Sequence, residues 1–179
     1  QVYRTLKQTG SFYLFIGPKY VSELDIICKD LGFIQRNHII WYYSFGQNCS
    51  TKFVPSHTHI LYYVKSNKFT FNADEIRVPS KRQTVYKDKR ANPKGKVPDD
   101  VWNFNRICGT FKERVSHTTQ LPLDLLKLII KTSSNKADVV ADFMAGSGTT
   151  LVAAKELDRK YFGIELSKNY YDLIQERLK

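Results

Sequence analysis

Short apolar runs alternate with polar segments in the first third of the chain and predict strands around one helix. The run Phe12–Ile16 ends at a Gly-Pro pair, which is typical of a buried strand. Apolar residues then repeat at helical spacing over Val21–Leu31, and Gly32 is placed to end this helix. Two runs rich in β-branched and aromatic residues, His38–Tyr43 and His59–Val64, predict two further strands.

Periodicity fades in the middle of the chain and returns near its end. Prolines and glycines interrupt residues 77–115, which predicts a loop-rich insertion. Pro122 is placed at the first position of a helix that carries apolar residues as far as Ile130. Strands over Ala137–Asp142 and Tyr161–Glu165 then alternate with helices over Thr149–Leu157 and Lys168–Leu178. This alternation predicts an α/β fold with a largely parallel sheet.

Composition indicates a folded protein in a reducing compartment. The 179 residues are 42% hydrophobic, and no apolar run approaches the roughly 20 residues that span a bilayer. Residues 1–4 do not begin an apolar stretch of signal-peptide length, so we expect a cytoplasmic protein and no membrane partner. Cys28, Cys49 and Cys108 match neither a disulfide framework nor a metal-binding spacing, so we predict no metal site.

Positive charge is concentrated in the predicted insertion. The whole chain carries a net charge of +11. Residues 77–114 hold eleven Lys and Arg against four Asp and Glu, so a net charge of +7 lies in about a fifth of the chain. An even excess would indicate general solubility, whereas a cluster favours a surface for a polyanion, because each neutralised phosphate releases counterions.

The sharpest chemical pattern follows the strand that ends at Asp142. A loop with Gly146 and Gly148 leads into the next helix, and Glu165 ends the second strand 23 residues after Asp142. Ligands of open α/β sheets lie beyond the carboxyl ends of the strands, where both acids would meet. The glycines let the backbone approach a ligand, the helix N-terminus suits a carboxylate, and Glu165 suits ribose hydroxyls. An amino acid joined to a nucleoside describes S-adenosylmethionine.

Two rival ligand sites fit the glycine loop less well than a site for S-adenosylmethionine. A dinucleotide site would need a third glycine where Leu151 stands, and a phosphate-binding P-loop would need Lys where Thr149 stands. A glycine pair alone is also typical of a tight strand-to-helix turn that binds nothing, so the two flanking acids are needed for the assignment.

The loop resembles the signature of a known enzyme family. Asp142–Thr150 is similar to the Asp-Pro-Phe-x-Gly-Ser-Gly-Thr-Thr motif of the DNA amino-methyltransferases, with Phe143 and Met144 in place of Pro and Phe. His117–Pro122 resembles the family's His-Pro-Thr-Gln-Lys-Pro segment, with Leu121 where the family has Lys. The position of the cofactor loop near the C-terminus matches the permuted beta class of this family.

This resemblance implies a Rossmann-like S-adenosylmethionine-dependent methyltransferase fold, a three-layer sandwich. Residues 1–76 and 115–179 would form the catalytic domain, and residues 77–114 a target recognition insertion. The implied reaction moves a methyl group from S-adenosylmethionine to an exocyclic amine of a DNA base in a bacterial or archaeal restriction–modification system. Adenine N6 is the favoured target, and cytosine N4 is the alternative. The implied cofactor-binding residues are Asp142, Phe143, Met144, Ala145, Gly146, Ser147, Gly148, Thr149, Glu165, Leu166, His117, Thr119 and Gln120.

One part of the family pattern has no counterpart in the 179 residues. The catalytic tetrapeptide of the family, Asp/Asn/Ser-Pro-Pro-Tyr/Trp/Phe, requires a Pro-Pro pair, and the sequence has none. In the beta class this tetrapeptide precedes the strand at Phe12–Ile16, and the chain does not start with Met, so we expect an N-terminally incomplete part of an active enzyme. We therefore assign no catalytic residue and expect no methyl transfer by this chain alone. We also expect either marginal stability or an exposed apolar edge. A catalytically inactive or split remnant and an RNA methyltransferase are the alternatives.

The resemblance implies double-stranded DNA as the partner and leaves open a cognate restriction endonuclease and the oligomeric state. The aromatic run Trp41–Phe45 is expected to pack in the core, with a place beside a flipped base as the alternative. A loop is predicted for residues 46–50, and His57 and His59 are assigned a structural role. The predicted phosphate contacts are Lys81, Arg82, Lys87, Lys89, Arg90, Lys94 and Lys96.

Overall fold

The computed structural model describes residues 1–44 and 48–179. Phe45 and residues 46–47 of the predicted loop lie outside the described residues. The helices are α1 (Val2–Thr5), α2 (Val21–Asp30), α3 (Lys81–Thr84), α4 (Leu123–Ser133), α5 (Thr149–Glu156) and α6 (Lys168–Arg177). The strands are β1 (Ser11–Ile16), β2 (Ile34–Tyr42), β3 (His57–Val64), β4 (Val101–Asn103), β5 (Val139–Asp142) and β6 (Lys160–Gly163).

The strands form two separate sheets, one in the order β1-β3-β2-β4 and one of β5 and β6. The β2/β4 and β5/β6 pairs are parallel, whereas β3 runs antiparallel to both β1 and β2. The predicted α/β alternation is confirmed, but the expectation of a largely parallel sheet is wrong for β3. Tyr42 pairs with His57, so the chain leaves β2 and enters β3 at the same end of the sheet, which reverses its direction.

Helices cover the four-stranded sheet on both faces. Ile60, Tyr62 and Val64 of β3 pack in one core cluster with apolar residues of α4 and α5. The alternate residues Leu61 and Tyr63 pack in a second cluster with residues of α1 and α2. This division follows from the two-residue period of a strand, which sends successive side chains to opposite faces. The predicted three-layer sandwich is therefore confirmed.

The end of α2, the start of α4 and the end of β6 can be compared with their predicted positions. Gly32, at φ +92°, follows the end of α2 as predicted. Pro122 is extended at ψ 136° and precedes α4 as its N-cap, so its predicted place as the first helical residue is wrong by one position. Strand β6 ends at Gly163, two residues before the predicted end, which leaves Glu165 in a loop that can fold back.

The region 77–114 is loop-rich, as predicted, with one turn of helix in α3 and three residues in β4. An antiparallel bridge between Val78 and Lys96 closes a loop at its start. Within the described residues no helix is long and apolar enough to cross a membrane.

The second sheet exposes apolar side chains, as the predicted apolar edge requires. Val139 is 58% exposed and Phe162 is 52% exposed, and Tyr161 and Ile164 are also exposed. Both strands lie in a two-stranded sheet with open outer edges. The half of the fold that carries the glycine loop is therefore less enclosed than the four-stranded half.

Candidate cofactor site and basic insertion

Asp142 ties the end of β5 to the start of α5. One of its carboxylate oxygens accepts the Met144 N–H at 3.1 Å, and the other accepts the Thr150 hydroxyl at 2.6 Å. These contacts hold the two ends of the glycine loop together. A carboxylate offers about four lone-pair sites, so two acceptor positions stay open for an ammonium group.

The two glycines of the loop are required for different reasons. Both have left-handed backbones, Gly146 at φ +52° and Gly148 at φ +74°. A Cβ atom on Gly146 would lie 3.0 Å from Nε2 of His117, and one on Gly148 would lie 2.7 Å from Cγ1 of Ile174. The first glycine therefore makes room for the His117 segment, and the second lets α6 pack beneath the loop.

Glu165 joins the end of β6 to the glycine loop. Its Oε2 accepts the Gly146 N–H and its Oε1 accepts the Ser167 N–H, both at 2.8 Å. Both hydrogen bonds lower the pKa of the Glu165 carboxyl, and the one from Ser167 has the larger effect. The side chain is therefore a carboxylate at neutral pH, and its roughly four lone-pair sites outnumber the backbone hydrogen bonds that it accepts from Gly146, Ser167 and Leu166.

The segment that contains His117 lies against the glycine loop, but its residues point in different directions. The His117 ring packs on Tyr170 with centroids 4.4 Å apart, and burial lowers the pKa of the imidazole. Gln120 is buried, where it accepts the Val115 N–H at 2.9 Å and donates to the Glu113 carbonyl at 2.7 Å. Both hydrogen-bonding ends of Gln120 are thus used within the chain, which gives it a part in shaping this segment.

Apolar side chains flank the acids and face outward. Leu166, directly after Glu165, is 99% exposed, and Met144 is 83% exposed. Phe143 is 40% exposed and packs edge-on against Phe162. Together these residues surround the acids with open apolar surface, which suits a ligand that has a flat apolar ring and polar groups.

The remaining predicted loop residues are buried and support the loop from below. Ala145, Ser147 and Thr149 are each at most 6% exposed. Arg177 donates to the Ser147 carbonyl at 2.5 Å and to the Thr149 hydroxyl at 3.1 Å. The sequence pattern did not indicate Arg177, since a basic residue in the last turn of a helix carries no local sign of a contact 30 positions earlier.

The seven predicted phosphate contacts are all exposed, but they divide into two groups. Arg82 and Arg90 both pair with Asp88, at 2.7 and 3.1 Å, Lys94 pairs with Asp74, and Lys96 pairs with Asp99. Hydrogen bonds from Arg90 and Arg82 hold the pKa of Asp88 well below its usual range. Within the part of the chain that the structure describes, Lys81, Lys87 and Lys89 form no ion pair.

The aromatic run and the histidines serve the fold. Trp41 is buried and donates from its indole N–H to the Phe104 carbonyl at 2.8 Å, which supports core packing. His59 lies 2.7 Å from a nitrogen of His38, and its ring packs edge-on against His57. Among residues 1–44 and 48–179, no group of His, Cys, Asp and Glu is arranged to hold a metal ion.

This combination of a three-layer α/β fold and a strand–glycine loop–helix facing an acid after the next strand is that of the S-adenosylmethionine-dependent methyltransferases. The chain belongs to the family of N6/N4-type DNA methylases, whose family model matches residues 1–176. The resemblance to DNA amino-methyltransferases that the sequence motifs carry is thereby confirmed.

Relatives and solved structures agree with this family. The chain is 39% identical over 180 residues to the type II methyltransferase M.HpaI of Haemophilus parainfluenzae, covering 99% of the chain and 56% of the relative. It is 37% identical over 187 residues to the DNA adenine methyltransferase YhdJ of Escherichia coli K12, covering 99% and 63%. The crystal structure of an M1.HpyAVI–SAM complex superposes with a TM-score of 0.76 at 26% identity, covering 99% of this chain and 78% of that one.

The PvuII cytosine-N4-specific DNA methyltransferase shares the fold at a TM-score of 0.77 and 15% identity, covering 99% of this chain and 67% of that one. The chain spans about half the length of the first two relatives, 56% of M.HpaI and 54% of M.BglII of Bacillus subtilis.

Proposed function

We propose that this chain supplies the cofactor-binding part and a DNA-facing surface of a methyltransferase that modifies an exocyclic amine of a DNA base. The observation that carries the proposal is the loop Asp142–Thr150, clamped by Glu165 at the carboxyl edge of β5 and β6 in a chain of the DNA methylase family. Adenine N6 is the favoured target, supported by the 37% identity to a DNA adenine methyltransferase. A restriction–modification setting is supported by the type II relatives.

Each part of S-adenosylmethionine has a matching group in this site. The free acceptor positions of Asp142 suit the ammonium, and those of Glu165 suit the ribose hydroxyls. The exposed side chains of Leu166 and Met144 offer apolar surface to the adenine ring. The cofactor supplies a methyl group on a sulfonium, and the chain's part is to bind and orient it for in-line transfer.

The base-holding group is proposed to come from polypeptide outside these 179 residues. The sequence contains no Pro-Pro pair, and the chain spans 56% of M.HpaI. The open edges of the β5/β6 sheet and the exposed Val139 and Phe162 support this, since a further strand and its flanking helix would cover them. We therefore expect no tritium transfer from labelled S-adenosylmethionine to mixed DNA by this chain alone, and robust turnover would contradict this part of the proposal.

Calorimetric titration with S-adenosylmethionine tests the cofactor site without requiring turnover. Leu166 is 99% exposed, so Leu166→Ala leaves the folded chain unchanged while removing apolar surface that the ligand would bury. Burying a leucine side chain contributes about 1.5–3 kcal/mol, so we expect affinity to fall by about 10-fold or more.

Leu31→Ala is the matched control, because Leu31 is 54% exposed at the end of α2, away from the loop. The control should bind as the wild type does. No measurable binding by the wild type, or equal affinity for the two alanine variants, would refute the assignment of this edge as the adenine site.

A further inference from the structure

The loop between Val78 and Lys96 is held rigidly by its own hydrogen bonds. The two residues exchange both backbone hydrogen bonds at 2.9 Å, which closes the base of the loop. Ser80 and Gln83 form a capping box at the start of α3, and the Gln83 amide also donates to the Asn92 carbonyl at 2.7 Å. This region, residues 78–96, is called the basic loop below.

The basic loop presents two apolar side chains that are largely exposed. Tyr86 is 75% exposed and Val85 is 63% exposed. Their backbone N–H groups are fixed on the Lys81 carbonyl at 3.0 and 2.9 Å, so the pair is held in place while its side chains face outward. Lys87, the next residue, has a left-handed backbone at φ +50°, which costs free energy in a residue with a Cβ.

Charge around this pair matches a polyanion. Lys81, Lys87 and Lys89 lie within five positions of Tyr86 and form no ion pair among the described residues. Asp88 is turned inward on Arg82 and Arg90, so its negative charge is already neutralised. An apolar tip between unpaired cations suits duplex DNA, because the cations can contact the phosphates while apolar side chains insert between stacked bases.

We propose that Val85 and Tyr86 form an apolar wedge that contacts base surfaces in duplex DNA while Lys81, Lys87 and Lys89 hold the flanking phosphates. This inference rests on the proposed function and adds to it a named contact in the target recognition region. The ring of Tyr86 provides most of the apolar surface of the wedge. Its role differs from that of the lysines, because base contacts do not release counterions.

The test measures the affinity of the full chain for a fluorescent duplex of about 20 base pairs at several salt concentrations. Tyr86→Ala is expected to weaken binding by about 5- to 100-fold, from the loss of base–aromatic contact, with an unchanged salt slope. Tyr86→Phe should retain wild-type affinity, since the ring carries the contact. The triple change of Lys81, Lys87 and Lys89 to Ala should reduce the salt slope by roughly 2.7, at about 0.9 per phosphate.

Tyr20→Ala is the matched control, because Tyr20 is 51% exposed with the Lys19 ammonium 4.9 Å from its ring centroid, outside the basic loop. The wedge is refuted if Tyr86→Ala binds as tightly as Tyr20→Ala while the wild type shows salt-dependent affinity, a result that leaves the proposed function intact. A wild-type chain with no DNA affinity at low salt refutes both the wedge and the DNA-facing part of the proposed function.

Discussion

Gly148→Ala is the change whose effect the structure predicts most directly. Gly148 caps α5 with a left-handed backbone at φ +74°, and an added Cβ would lie 2.7 Å from Cγ1 of Ile174 and 3.2 Å from its Cγ2. Ile174 is only 4% exposed and packs with Ala145 and Leu151, so it has little room to move away. The substitution therefore combines backbone strain with overpacking.

The magnitude follows from these two terms. A left-handed conformation costs a residue with a Cβ about 1–2 kcal/mol, and an extra carbon in a packed cluster costs about 1–3 kcal/mol. We expect Gly148→Ala to lower the free energy of unfolding by about 2–5 kcal/mol, a large share of the roughly 5–15 kcal/mol that stabilises a domain. Urea titrations followed by circular dichroism measure this as a lower midpoint at an unchanged m-value.

A control and a second background separate the two terms. Gly17→Ala should change stability by less than about 1 kcal/mol, because no atom beyond its chain neighbours lies within 4 Å of its Cβ position and its φ is not left-handed. In an Ile174→Ala background, stabilised with an osmolyte, the Gly148→Ala penalty should shrink to the backbone cost of about 1–2 kcal/mol. A Gly148→Ala variant as stable as Gly17→Ala, or a penalty that persists undiminished without Ile174, would refute the packing argument.

Three further predictions concern polar contacts that support the site. Arg159→Ala should lower the unfolding free energy by about 3 kcal/mol, because its buried guanidinium donates to the Ser134 carbonyl at 2.7 Å and to the Leu157 carbonyl at 2.6 Å. Lys160 is exposed, so Lys160→Ala is the control and should have little effect. Gln120→Ala should cost about 1–3 kcal/mol in thermal or urea unfolding, since it strands the Val115 N–H and the Glu113 carbonyl, with the exposed Gln175→Ala as the control. The folded-state pKa of Glu165 is lowered, so the wild type should be more stable than Glu165→Gln above about pH 4.3. This stability difference should disappear as the pH falls through the folded-state pKa of Glu165. A stability difference that grows on acidification would contradict this.

The sequence alone predicted the elements that depend on neighbouring residues in the chain. The apolar run that became β1 and the helical spacing that became α2 need only side-chain periodicity and a glycine stop. The glycine loop was predicted with its flanking acids because the loop, the helix and the next strand all lie between Asp142 and Glu165. Ligands of such a contiguous unit lie beyond the carboxyl ends of its strands, so the sequence alone was sufficient to propose where the cofactor binds.

Tertiary structure decided how those elements are arranged and which side chains remain available. The direction of β3 depends on the end of the sheet at which the chain enters it, and strand periodicity carries no information on direction. Arg177 contacts the Ser147 carbonyl 30 positions earlier in the chain. Gln120 points inward because its amide donates to the Glu113 carbonyl, whose position depends on the folded segment.

The same distinction holds for the basic surface. Composition located the net charge of +7 in residues 77–114 but could not separate Lys87 and Lys89 from Arg82 and Arg90. The separation came from Asp88, which the folded loop places between the two arginines. Charge is a property of sequence, whereas a charge that is free to bind depends on distances of about 3 to 4 Å that only the folded chain sets.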